Sequence, residues 1–340
     1  MRSGDDQIMD RHPSTLLVPG RPLLSPVLRP LPYEVVPLDE EALREVDRFF
    51  EQWQSTFGFS TESFTTAARG YLKYCCPEGA TLDQILVAAE FLAWCFCLND
   101  LEDAAYRRQV VDDALEVLGG ERRASKPEVR ATRALLMSLE NRAAPVPIAR
   151  FRWRMQQMLE SFRWEAEQEK GQPSAPLETF LGHREQLIVH LCYAEMWRVL
   201  LRAEVPPDPA RGMLEVVESH SSRIVFAAND IMSVPRDLRL KKLNLVLWLR
   251  NENASSLESA VDDAVTFLAQ ELAAYGLARA QIERVVTRSH PLHRYLAFLD
   301  AVLEGNRLGT VALVDRYWVD DHPIVNSDES RCRKPQGDSV

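Results

Sequence analysis

The stretch Phe91–Ala105, FLAWCFCLNDLEDAA, runs from residues suited to a protein interior straight into Asn99-Asp100-Leu101-Glu102-Asp103, with no Gly or Pro between. If the stretch is one helix, Asn99, Asp100 and Asp103 fall at i, i+1 and i+4, which puts Asn99 and Asp103 on one face about a turn apart. The apolar half would bury that helix deep in a bundle and leave its polar end at the rim of an internal cavity. Carboxylates this close repel one another, and partial burial makes them more costly. A divalent cation with oxygen ligands removes both penalties, and Mg²⁺ typically takes one or two carboxylates together with substrate phosphates. Taken alone, the stretch also fits a solvated acidic helix end.

A second stretch has the same design. In Arg223–Val246, RIVFAANDIMSVPRDLRLKKLNLV, an apolar segment again ends in Asn-Asp, here Asn229-Asp230, followed by Ser233 and Asp237. Asn229, Ser233 and Asp237 are spaced i, i+4 and i+8, a rotation of only about 80° over about 12 Å of helix. An amide oxygen, a hydroxyl and a carboxylate then share one face, a set suited to a hard cation that keeps waters and a phosphate. Arg236 adds a guanidinium suited to a phosphate oxygen. Pro235 removes one helical hydrogen bond within this set and predicts a kink.

The rest of the chain is helical in its spacing. Leu43, Val46, Phe49, Phe50 and Trp53 form one amphipathic stripe, and similar stripes recur in 81–98, 107–118, 127–141, 147–169, 176–202, 211–234, 240–251, 255–275 and 290–307. Helix ends are expected at Pro77-Glu78-Gly79, Gly119-Gly120, Gly171-Gln172-Pro173, Pro206-Pro207 and Gly276. The sequence therefore predicts an all-α fold of roughly ten helices, a single domain over 35–325. A Pro-rich arm, 1–34, is expected to be poorly ordered or draped, and a polar tail, 326–340, to be frayed.

Composition narrows the function. The 340 residues are 46% apolar, enough for a large core, and the net charge of −10 argues against a nucleic-acid partner. An acidic protein that binds an anion needs a metal. The longest nearly apolar run, Ile85–Leu98, is interrupted by Glu90 and is short for a bilayer span, so no stable membrane insertion is expected. No secretory signal is read at the N-terminus, and the six cysteines (75, 76, 95, 97, 192 and 332) form no CxxC pair, which points to reduced thiols and a cytoplasmic location.

Together, the two stretches resemble the metal-binding motifs of bacterial class I terpene synthases (terpene cyclases): an aspartate-rich DDxx(D/E) helix, then (N/D)DxxSxx(K/R)(E/D) about 130 residues later. Asn99 and Asn229 are 130 positions apart. Leu159–Glu185, LESFRWEAEQEKGQPSAPLETFLGHRE, resembles the family's Trp-Glu helix, Pro turn and following Arg; Arg184 stands where the family keeps a diphosphate-sensing arginine. Tyr71–Asp100 has the Pro turn and the Trp94-x-Phe96 lead-in, and Tyr295–Tyr317 resembles the closing segment with its terminal Arg316-Tyr317 pair. The resemblance spans roughly residues 40–322.

It implies a helical bundle around a central apolar cavity, with about three Mg²⁺ ions held by Asn99, Asp100, Asp103, Asn229, Ser233 and Asp237. It also implies that Arg184, Arg236, Arg316 and Tyr317 grip the diphosphate of a linear prenyl diphosphate, and that Phe96 and Phe226 face the cavity. The implied reaction is loss of diphosphate and carbocation cyclisation of a C15 or C20 substrate to a terpene hydrocarbon or alcohol. Four departures stand out. Asn99 replaces the first Asp, Asp237 replaces the commoner Glu, Leu187-Ile188 replace a polar linker and a helix-breaking Gly, and Gly309 replaces a Trp, which would enlarge one wall and favour C20. A related prenyltransferase and a non-catalytic prenyl diphosphate binder remain alternatives, and a homodimer is as compatible with the sequence as a monomer.

Overall fold

The computed structural model describes residues 30–59, 63–101, 103–120, 124–142, 145–168, 175–286 and 292–313. Among them there are twelve helices and no strand: α1 Glu40–Phe57, α2 Ser63–Leu72, α3 Leu82–Asn99, α4 Ala104–Leu118, α5 Pro127–Glu140, α6 Pro145–Gln168, α7 Leu177–Leu187, α8 His190–Leu200, α9 Ala210–Leu240, α10 Leu245–Glu252, α11 Leu257–Val285 and α12 Leu292–Ala312. The all-α fold class read from the sequence is the observed one.

Local chemistry sets the helix ends. Asp39 caps α1 by accepting from the Ala42 N–H at 2.8 Å, and Gly58 closes it at φ 79°. Thr81 and Gln84 form a reciprocal capping box at the start of α3. That helix is apolar on nearly every face because α1, α2, α5 and α8 surround it. α3 has the length and apolarity of a membrane span, yet 67% of it is buried within the bundle, as expected of a core helix. The long helices α9 and α11 pack side by side, with α12 and α7 on the other sides of α9.

Several sequence expectations are corrected. α2 was not predicted: its Thr residues and Gly70 obscure a stripe of Phe64, Ala67, Ala68, Tyr71 and Leu72, which is buried. α11 runs through Gly276 because the buried face formed by Tyr275, Ala278 and Ile282 continues past it, which outweighs about 1 kcal/mol of glycine propensity. α9 continues through Pro235 to Leu240. The stripe 176–202 divides into two helices at Val189, a β-branched residue held at φ 59°. The chain thus breaks here without the glycine that a left-handed residue normally requires.

Most of the arm and the last four residues of the closing segment, Arg316 and Tyr317 among them, lie outside the described residues, as do Glu102, Cys332 and the tail from 326. At the inner end of the arm, the Leu31 N–H donates to Glu304 at 2.9 Å and Tyr33 packs edge-on against Tyr275. Cys75, Cys76, Cys95, Cys97 and Cys192 are free and buried, and burial, aided by Glu128 and Asp100, pushes the Cys97 thiol up to about 12.

Gly305 and Gly309 let α12 approach the α2 end closely. A Cβ on Gly305 would sit 2.1 Å from the Tyr74 carbonyl oxygen, and one on Gly309 would sit 2.7 Å from the Tyr71 ring. The expected enlargement of the cavity at Gly309 therefore does not occur. Tyr71 fills that space and its hydroxyl lies 2.9 Å from Thr310 Oγ1.

Glu90 is a buried carboxylate on α3, and burial pushes its pKa up to about 7, with Ser138 and Arg142 opposing only in part. Its contribution to stability is fully present below the ordinary glutamate value near ~4.3 and is lost as pH rises through about 7. Glu90→Gln is therefore expected to gain on wild type by about 2 kcal/mol between pH 5 and pH 8. Denaturant melts at the two pH values measure this, and a gap that does not widen would contradict it.

Candidate active site

α9 carries a row of buried polar residues. Asp230, Ser233 and Asp237 are all buried, and each is hydrogen-bonded. Asp230 forms an ion pair with Arg184 of α7, whose Nε lies 3.1 Å from both carboxylate oxygens, and it also accepts from the Leu245 N–H at 2.7 Å. Ser233 donates its hydroxyl to Asp237, and Arg236 donates through Nε and Nη2 to Asp237 Oδ1 at 3.2 and 3.1 Å.

Asn244, which the sequence reading passed over, joins these groups. Its Nδ2 faces the Asp230 carbonyl at 2.8 Å, Asp237 Oδ2 at 3.0 Å and Ser233 Oγ at 3.3 Å. Its Oδ1 caps α10 by accepting from the Val246 N–H at 2.9 Å. This N-cap moves the start of α10 to Leu245, later than the stripe 240–251 implied.

The acidic stretch after α3 is arranged otherwise. The helix ends at Asn99, so Asn99 and Asp103 do not share a face. Asp103 is exposed and becomes the N-cap of α4, with Oδ1 accepting from the Ala105 and Tyr106 N–H groups at 2.8 and 2.9 Å. The physical reason is local: a short Asp side chain ahead of Ala-Ala-Tyr satisfies orphan N–H groups that a continuous helix would not expose. Asn99 Nδ2 donates to Asp100 Oδ1 at 3.3 Å, and its carbonyl and Oδ1 accept from Lys242 Nζ at 2.7 and 3.3 Å.

Some of these groups line a cavity of about 1020 Å³, its open mouth included. Asn99, Glu165, Arg184, Asn229, Arg236, Asp237 and Lys242 all line it, while Tyr71, Leu92, Phe96, Phe162, Val225 and Val302 supply apolar wall. The break between α7 and α8 turns Leu187, Ile188, Val189 and His190 toward this space. Phe96 lies on the wall, stacked on Tyr71 with centroids 5.7 Å apart. Phe226 does not: it is fully buried, stacked on Phe267, with the Arg184 guanidinium 5.9 Å from its centroid.

Burial pushes the Lys242 pKa below the ordinary lysine value; Glu165 and Asp237 oppose the shift, and Arg236 and Arg107 add to it. Arg107 is a buried cation of α4, and neither it nor Lys242 stood out in the sequence as a site residue. The signal was weak, because both lie outside the two motifs and resemble ordinary surface cations.

Asn229, Ser233 and Asp237 follow at i, i+4 and i+8 on one face of α9, and Ser233 and Asp237 are hydrogen-bonded to each other, so the oxygen chemistry of the three suits a hard divalent cation. The end of α3 does not match a metal site in the same way. It offers a neutral amide already engaged by an ammonium, and Asp103 is committed as a cap. Among the described residues, no three His, Cys, Asp or Glu side chains gather as a metal cluster.

Comparison with known proteins agrees with this architecture. The family model described as "Terpene synthase family 2, C-terminal metal binding" matches residues 90–274, more than half of the chain. A (+)-T-muurolol synthase ((2E,6E)-farnesyl diphosphate cyclizing) of Roseiflexus castenholzii (strain DSM 13941 / HLO8) is 25% identical over 251 residues, 68% of this chain and 75% of that protein. Among solved structures, a hedycaryol synthase in complex with HEPES aligns with TM-score 0.66 at 22% identity, over 83% of this chain and 97% of the other. The linalool/nerolidol synthase of Streptomyces clavuligerus aligns with TM-score 0.71 at 18% identity, over 81% and 97%, and its fold has also been solved with 2-fluorogeranyl diphosphate. With the metal-binding family model covering both polar helix ends and most of the residues that line the cavity, the chain belongs to the terpene synthases of family 2 and is a class I terpene cyclase.

Proposed function

We propose that the protein converts a linear prenyl diphosphate of C15 or C20 into a cyclic terpene hydrocarbon or alcohol with release of diphosphate, acting in the cytoplasm. The observation that carries this reading is the placement of Arg184, Arg236, Asn229 and Asp237 on a cavity that is also lined by Leu92, Phe96, Phe162, Val225 and Val302. A substrate with a charged head and a hydrocarbon tail fits such a space end to end. The farnesyl diphosphate named for the Roseiflexus relative favours C15.

Asn229, Ser233 and Asp237 would hold Mg²⁺, whose oxygen preference their donors match. Bound there, the ion supplies Lewis-acid stabilisation of the charge that develops on the departing diphosphate. Arg236 and Arg184 add guanidinium donors to the same oxygens. The family order gives Arg316 and Tyr317 the same task from the closing segment. Phe96 and Tyr71, stacked on each other, both line the cavity, where aromatic rings can stabilise an allylic cation. The apolar wall keeps water from the cation until it has cyclised. The count of about three ions that the resemblance implies requires carboxylates from the α3 end as well, where Asp103 caps α4 and Asn99 is engaged by Lys242.

A second reading, a homologue that binds prenyl diphosphate without turning it over, is favoured by one observation: the amide of Asn99 where the family has a carboxylate.

Incubation with C10, C15 and C20 diphosphates and Mg²⁺, with products identified by mass spectrometry, tests the proposal. The expected result is a cyclic product from C15 or C20 that disappears with excess chelator. Absence of product from all three substrates, by folded protein, would establish the second reading. Asn229→Ala and Asp237→Ala are each expected to lower kcat at least about a hundredfold, a loss of roughly 3 kcal/mol of transition-state stabilisation. Near-normal rates in both would move the metal site away from α9.

Arg184 has a structural load to separate from its proposed role. Arg184→Ala leaves Asp230 charged and buried without its partner, at a cost of about 3–5 kcal/mol, measurable by denaturant unfolding. Arg184→Lys is expected to recover part of that stability. If both variants unfold like wild type, the pair is not what holds α7 to α9.

A further inference from the structure

The end of α3 holds a cation already, and it belongs to the protein. Lys242 Nζ donates to both the main-chain carbonyl and the side-chain oxygen of Asn99, at 2.7 and 3.3 Å. The lysine reaches this place because α9 ends at Lys241 in a left-handed turn, φ 54°, whose N–H closes on the last turn of the helix. That turn sends the next side chain across the cavity to α3 rather than out to solvent. Lys242 lines the cavity beside Asn229, Arg236 and Asp237.

The carboxylates of Glu165 and Asp237 are near enough to favour the ammonium, and Arg236 and Arg107 near enough to disfavour it, so that three cations face two carboxylates around this end of the cavity although the chain as a whole is acidic. Like charges held together at a cavity end repel unless an anion joins them, and a diphosphate carries enough charge to do so. The substitution at position 99 is consistent with this. A carboxylate there would pair with Lys242 and neutralise it, whereas an amide oxygen orients the ammonium and leaves its charge available to a ligand.

We propose that Lys242 is a diphosphate-binding residue that takes the place of divalent metal at the end of α3, so that the metal of this site is held by the α9 motif alone. The proposal deepens the cyclase reading above and rests on the substrate being a diphosphate ester. In this arrangement Asn99 is a positioning residue for Lys242, and Asp103 is an N-cap.

Two binding measurements on the full chain, using inorganic diphosphate and Mn²⁺ as probes, test this without turnover. In calorimetry with excess EDTA, wild type is expected to bind diphosphate. Lys242→Met is expected to weaken that binding at least about tenfold, and Lys242→Arg to restore it to within about threefold, as a retained charge-assisted contact would. In the second measurement, bound Mn²⁺ is counted by paramagnetic resonance at saturating diphosphate. Asp100→Asn is expected to leave the count unchanged, and Asp237→Ala to remove the bound ion. Unchanged diphosphate affinity in Lys242→Met, or a lower Mn²⁺ count in Asp100→Asn, would overturn the proposal. Melting curves confirm that each variant is folded. A protein that binds diphosphate through Lys242 but forms no product from any prenyl diphosphate would refute the cyclase reading and leave this assignment standing.

Discussion

A carboxylate with no solvent exposure in the middle of a long helix is the constraint on which the site depends. Asp230 cannot remain charged there without a cation and donors, and it draws Arg184 from α7 and the Leu245 N–H from the start of α10. Three helices are thereby fixed around one side chain. Asn244 completes the junction by bonding the Asp230 carbonyl and Asp237 while capping α10. The face of α9 that carries Ser233 and Asp237 is thus held by groups that are themselves held, which is the preorganisation that charge stabilisation requires.

The opposite side of the cavity solves a different problem. α3 is apolar almost all round and must stop where the bundle meets water, and it stops at Asn99. Asp103 starts the next helix as its cap, and Lys242 crosses from α9 to engage the polar end that remains. The two sides of the cavity are therefore joined by an ammonium between α9 and α3 in addition to the packing of apolar walls. The split between α7 and α8 at Val189, in a conformation unfavourable for a β-branched residue, belongs to the same region and brings four successive residues to the cavity.

How much of this was legible in the sequence follows from the range of each interaction. The helices over 82–99, 127–140 and 257–275 were readable from apolar spacing, because burial of one face is recorded every three to four residues. The row Asn229, Ser233, Asp237 was readable for the same reason. Misreadings arose where spacing is ambiguous: α2 is short and carries Thr and Gly, and Gly276 resembles a stop although it lies within a helix. The expectation that Asn99 and Asp103 share a face assumed that the helix continues, and a single Asx cap is enough to end it.

The sequence by itself determined the all-α class, the two polar helix ends and, through their order and separation, the terpene synthase resemblance, because these are properties of neighbouring residues on one helix. Only the tertiary structure decided which cation meets which anion. Arg184 pairs with a residue 46 positions away and Lys242 reaches one 143 positions away, distances along the chain at which periodicity carries no information. It also decided that Gly309 makes room for Tyr71 rather than for substrate, and that Phe226 lies behind Arg184 while Phe96 faces the cavity. The physical reason is common to all of these: a residue's identity fixes what its side chain can do, but desolvation and Coulomb attraction act on what is near in space, and only the folded bundle sets that.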